Sequence, residues 1–168
     1  MKPGFVAVVL VFATVATQRV LVQPGVPGWV SAILAPMPWI VGPTLRGHDR
    51  RWYLLSFALG LFWDVLFEPV IGPGGISWSC ASAVSWGMAA LVVNRGVRAW
   101  FAFGVISTGA FWASRTASQA ILGLYLAPSL SSMAVSSVAT GCLCAAVGWL
   151  FWFDIPRQWR RYRSKRLR

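Results

Sequence analysis

The strongest constraint in this sequence is a set of long stretches that are apolar on every side. Gly4 to Val22, Trp78 to Val93 and Met133 to Phe153 run for 16 to 21 residues each, and Arg19 is the only charged side chain in them. A helix in the wall of a soluble core is apolar on one stripe only, and about 20 apolar residues cross the hydrocarbon of a bilayer. Composition agrees. With 57% hydrophobic and 11% charged residues, a chain of 168 residues has too few charges to cover a soluble domain of that size. The expected fold is all-α, a polytopic membrane helix bundle.

Window length and turn chemistry predict about six helices, near 4–22, 28–45, 52–68, 76–93, 99–126 and 129–153. The first run reads as an uncleaved first helix, because it is long and no A-x-A site follows it. Of the fifteen basic residues, thirteen fall at Lys2, in the loop from Arg46 to Arg51, at Arg95 and Arg98, or after Phe153. Confinement to alternate loops is the positive-inside pattern of an even-numbered bundle, so both termini are expected in the cytoplasm. Residues 1–155 then form a single transmembrane domain and 156–168 a basic cytoplasmic tail. Two segments are irregular. Pro36, Pro38 and Pro43 predict a kink or break in the second helix, since each removes a backbone donor. The fifth would be about 42 Å long if wholly helical, so it either tilts or ends near Arg115.

A net charge of +11 raises the question of nucleic acid. That reading needs a basic, groove-facing surface, whereas these charges sit in short blocks between apolar runs; none is expected as partner. Membrane lipid is. Arg157, Arg160, Arg161, Arg163, Lys165 and Arg166 in the tail would face the anionic inner leaflet, each adding about 1 kcal/mol of attraction. Trp159, Tyr162 and Leu167 among them fit a short interfacial helix, and a solvated tail fits equally.

Four charges fall within or beside apolar segments at similar expected depth: Arg19, Asp64, Glu68 and Arg115. An unpaired charge there costs at least about 2.5 kcal/mol, so the two signs are expected to pair. Such a cluster serves either ion or substrate passage or the fixing of helix arrangement; the latter is preferred because no further acidic relay is present. Ser132, Ser136, Thr140, Cys144 and Gly148 recur every four residues on the last helix and form a groove for close helix contact, with a partner or with the same chain. Cys80, Cys142 and Cys144 lie in apolar stretches, and His48 has only Asp49 beside it, so neither a disulfide framework nor a metal site is readable. No phosphate loop, nucleophile set or zinc motif occurs, which predicts a protein without catalysis or cofactor.

Gly60, Leu61, Phe62, Trp63 and Asp64, then Gly72, Pro73 and Gly74 before a small-residue-rich helix, resemble the rod-shape-determining MreD family. The likeness covers most of the chain in length and helix order, but its sharp part spans about 17 residues. Family members commonly have a Pro-Leu-Gly turn where this chain has Pro73, Gly74 and Gly75. The resemblance implies a non-catalytic membrane scaffold of the bacterial elongation machinery. It would bind the single-pass protein MreC and connect to the actin-like MreB and the peptidoglycan synthase. A related fold occurs in the S-components of vitamin transporters, which supplies a rival function. S-components usually carry an Ala-x-x-x-Ala series on the first helix, and here Val11 follows Ala7 and Thr17 follows Ala13.

Overall fold

The computed structural model describes residues 3–25, 27–45, 51–67, 70–91, 96–124 and 128–152. All regular structure among them is helical: α1 Pro3–Leu21, α2 Gly28–Ser31, α3 Pro38–Leu45, α4 Arg51–Phe67, α5 Pro73–Leu91, α6 Val97–Ile121 and α7 Leu130–Trp152. The predicted second helix is broken into α2 and α3, with residues 32–37 between them, where Pro36 and Pro38 leave the backbone short of donors. α5 begins three residues earlier than expected, because Pro73 takes the first helical position, where its missing N–H is no loss. The predicted fifth helix, α6, passes Arg115 without interruption and stops at Ile121. Gly123, at φ 71°, ends it: its N–H bonds the Ala120 carbonyl, and Leu124 N–H reaches back to Gln119 at 2.8 Å. This double closure satisfies carbonyls that the helix end would leave bare.

Helices α4, α5, α6 and α7 pack in chain order, each against the next, while α1 lies beside α4. α3 lies against all four of them, and α2 bridges α1 and α7. The tightest seam joins α6 to α7. A Cβ on Gly104 would lie 2.9 Å from the Gly141 Cα and from the Cys144 Cβ. Lower down, Gly148 is covered by the Trp100 ring. Backbones this close leave room for hydrogens only, the geometry that small residues give helix pairs in lipid.

Polar side chains are found inside and large apolar ones outside. The interior holds Gln18, Ser56, Asp64, Ser77, Ser82, Ser85, Ser107, Thr108, Ser118, Gln119, Ser136 and Thr140, while Leu54, Val65, Trp86, Leu91, Ile121 and Leu130 are exposed. About six membrane-crossing helices are expected from the sequence; among the described residues one stretch, Leu130–Leu150 in α7, is long and apolar enough to cross a membrane, and 33% of its most apolar window is buried.

Gly104→Ala is expected to lower the melting temperature in detergent by an amount equivalent to about 1–3 kcal/mol, since its methyl meets the Gly141 backbone and the Cys144 Cβ, which cannot rotate away. Gly109 sits on the same helix with nothing within 4 Å of an added Cβ, so Gly109→Ala should stabilise by about 0.5–1 kcal/mol. Equal melting of the two variants would mean that the α6–α7 seam is not this tight.

Candidate functional site

Asp64 stands in the last turn of α4, and its carboxylate is fully buried. It faces the first turn of α5. The backbone N–H of Gly72 donates to Oδ2 at 2.7 Å, that of Gly74 to Oδ1 at 2.7 Å and that of Gly75 to Oδ2 at 3.3 Å. Gly72 occupies the capping position, its carbonyl accepting from Ile76 N–H, and its φ of 135° is open to few residues other than glycine. Asp64 thus caps a helix it does not belong to. Hydrogen bonds to a charged group contribute about 1.5–3 kcal/mol each, and the positive end of a helix adds up to about 2 kcal/mol, enough to offset burial of one carboxylate.

The glycines make that reach possible. A Cβ on Gly60 would stand 2.5 Å from the Gly74 carbonyl oxygen and 2.6 Å from the Gly75 Cα, and one on Gly74 would enter the Asp64 carboxylate. Gly60, one turn before Asp64, therefore lets α4 and α5 touch backbone to backbone. Pro73 is buried at the start of α5 and accepts the Ser77 hydroxyl at its carbonyl. Gly60, Asp64 and Gly74 meet at one contact, and Pro73 stands next to Gly74 in the turn.

Asp64 or Glu68 was expected to pair with Arg19 or Arg115; Asp64 is met by these amides, and the alternative through Glu68 falls outside the described residues. Arg19, exposed in the last turn of α1, gives Nη1 to the carbonyl of Leu66, two residues beyond Asp64. A cation there complements the negative end of α4. Arg115 lies half-buried over aromatic faces, its Cζ 5.2 Å from the Trp112 ring centre and 5.9 Å from that of Phe111. Phe111 in turn packs edge-on against Trp63 at 6.1 Å and beside Trp78 at 4.9 Å. Glu68 and the tail from Arg157 to Arg166 lie outside the described residues.

Four of the five stripe residues on α7 turn into the bundle. Ser136 donates to the Ala32 carbonyl at 2.6 Å and accepts the Trp112 indole N–H at 2.9 Å. Thr140 accepts Leu34 N–H at 3.0 Å, Cys144 packs on Gly104, and Gly148 meets Trp100. Ser132 is exposed and bonds its own first turn at Ser129. Ser136 and Thr140 of the stripe therefore serve the break between α2 and α3, while Cys144 and Gly148 serve the contact with α6. Gln18, which the sequence reading passed over, completes it: Oε1 accepts Ala35 N–H at 2.8 Å and Nε2 donates to the Ser31 carbonyl at 3.5 Å. A glutamine alone inside an apolar run, one turn before the helix end, was the available signal.

Among the described residues no group of three or more His, Cys, Asp or Glu gathers to hold a metal. The Trp63 and Trp78 indole N–H groups and the hydroxyls of Ser79 and Thr108 are buried without hydrogen-bond partners among the described residues.

Asp64→Asn is expected to destabilise the chain by about 2–4 kcal/mol, because a carboxamide offers one acceptor oxygen to three amides and turns an N–H₂ toward the others. Thermal unfolding in detergent reads this, and an unchanged midpoint would remove Asp64 from its place as cap. No protein-family model matches this chain, and no curated protein or solved structure is significantly similar to it.

Proposed function

We propose that the chain is a multi-pass protein of the bacterial cytoplasmic membrane with both ends inside. In this reading it is a non-catalytic scaffold of the MreD type that binds MreC in the cell-elongation machinery. The observation that carries the reading is the contact between Gly60 and Asp64 on α4 and the Gly72 to Gly75 turn, where the residues behind the family resemblance form a single lock. The membrane part draws on the exposed apolar side chains, the polar interior and the sparsely covered α7. A scaffold acts by keeping partners at high local concentration, so loss of this one should disorganise wall synthesis rather than abolish one reaction. Connection to MreB and the peptidoglycan synthase would run directly or through MreC.

A solute-binding subunit of a vitamin transporter is the second reading. It draws on the buried Trp63, Trp78 and Thr108 groups, whose unfilled hydrogen-bonding capacity could serve a small polar molecule.

Coexpression separates the two. A stoichiometric complex with MreC that survives gel filtration is the expected outcome; capture of a transporter ATPase module without MreC would overturn it. Topology is tested by an impermeant thiol reagent on intact cells, with the three native cysteines replaced. Gly25→Cys should react from outside, and Gly47→Cys only after the cells are opened; labelling of the second in intact cells would reverse the proposed orientation.

A further inference from the structure

The chain between α1 and α4 is held in two different ways. α3 is held by packing: Ile40, Val41, Gly42 and Leu45 are buried, and the helix lies against α4, α5, α6 and α7. The stretch before it, residues 27–35, keeps most of its hydrogen bonds to itself. The N–H groups of Val30 and Ser31 bond the Pro27 carbonyl, that of Ala32 bonds Gly28 and that of Ile33 bonds Val30. Among the described residues four of its backbone groups bond outside it, all to side chains of α1 and α7. Ser136 donates to the Ala32 carbonyl, Thr140 accepts Leu34 N–H, and Gln18 serves the Ser31 carbonyl and Ala35 N–H. Leu34 is the one buried side chain among those described in this stretch; Val30, Ser31, Ala32, Ile33 and Ala35 are half-buried.

We propose that residues 27–35 form a clasp that opens as a unit, on the joint at Pro36 and Pro38, while α3 stays in the bundle. The two prolines interrupt the helical ladder, so no continuous set of backbone bonds ties one half to the other. At the far end Pro27 is extended, with ψ 135°, and α2 starts anew from it. Neutral hydrogen bonds are weak ties beside a packed helix face, and parts of a fold with few buried apolar groups open first. The ties are also shared between two helices. Gln18 comes from α1, Ser136 and Thr140 come from α7, and α2 bridges the two, so release of the clasp uncovers all three side chains together. They are 1%, 1% and 0% exposed, so solvent meets them only when the clasp lifts. Ser136 also accepts the Trp112 indole N–H, and the opening between α1 and α7 therefore leads on to α6. The device is a side entrance to the bundle, worked by a hinge without unfolding of the long helices.

The test is hydrogen exchange of the full chain in detergent, read by mass spectrometry. Amides of residues 31–35 should exchange at least about tenfold faster than those of 40–45. Thr140→Val keeps the shape of the side chain and removes the acceptor for Leu34 N–H. It should speed exchange of 31–35 by about tenfold and leave 40–45 within about twofold of wild type. Gln18→Leu should act in the same way from α1, and Thr140→Ser, which keeps the hydroxyl, should match wild type. A second readout is the reaction of Ser136→Cys with a small water-soluble thiol reagent, in a chain whose three native cysteines are replaced by alanine. That reaction should be slow, and Gln18→Leu should raise its rate by about the factor seen in exchange, because one opening uncovers both. Equal exchange of 31–35 and 40–45 in wild type overturns the clasp, as does acceleration of both stretches together by Thr140→Val. Where Thr140→Val does not fold, the wild-type comparison and the Gln18→Leu arm decide. A Ser136→Cys rate that Gln18→Leu leaves unchanged overturns the opening between α1 and α7.

Discussion

Three amide hydrogens and one carboxylate hold the end of α4 to the beginning of α5, and much of the bundle is arranged around that bond set. Asp64 can reach Gly72, Gly74 and Gly75 only because Gly60 and Gly74 let two backbones touch, and α5 can start at Pro73 only because something outside it satisfies its first amides. The contact sets the closeness of α4 and α5 at one end. Trp63 and Trp78 then come within 5.5 Å of each other, and Phe111 of α6 closes on both. Arg19 completes the turn from the other direction, with a cation at the end of one helix and an anion at the start of the next. Each charge sits where the helix dipole favours it, so neither needs the other as partner.

The same economy governs the interior. Hydroxyl and amide side chains are buried where backbone groups lack helical partners, as at the break after α2, or where helices meet, as with the Ser85 and Ser107 hydroxyls. A backbone group left unmet away from water costs more than burying a hydroxyl or amide that meets it, so these polar residues belong at such places. Exposed leucine, valine and isoleucine on the outer faces are the complement of that arrangement.

Much of the helix plan was legible in the sequence because it depends on local chemistry: apolar runs, prolines and glycine turns. A kink or break in the second segment was expected from Pro36, Pro38 and Pro43; the break falls at the first two, and Pro43 lies inside α3. Partners were harder to read. Balanced charges at one depth predicted an ion pair, yet Asp64 is met by amides, a choice set by how closely Gly60 lets α5 approach and invisible in a list of charged residues. The four-residue stripe on α7 was readable as a contact face, but not that Ser136 and Thr140 would use their hydroxyls on the backbone of residues 32–34, more than a hundred positions away. Spacing shows which side chains share a face; it carries no information on which distant backbone lacks a partner.

That distance along the chain has a consequence for synthesis. The backbone between α2 and α3 is made before α7, yet two of the groups that complete its hydrogen bonds, the hydroxyls of Ser136 and Thr140, belong to α7. Of the side chains that serve it, Gln18 of α1 is made earlier. The hydrogen bonding of the break is therefore completed only after α4, α5 and α6 have been made and α7 has followed them.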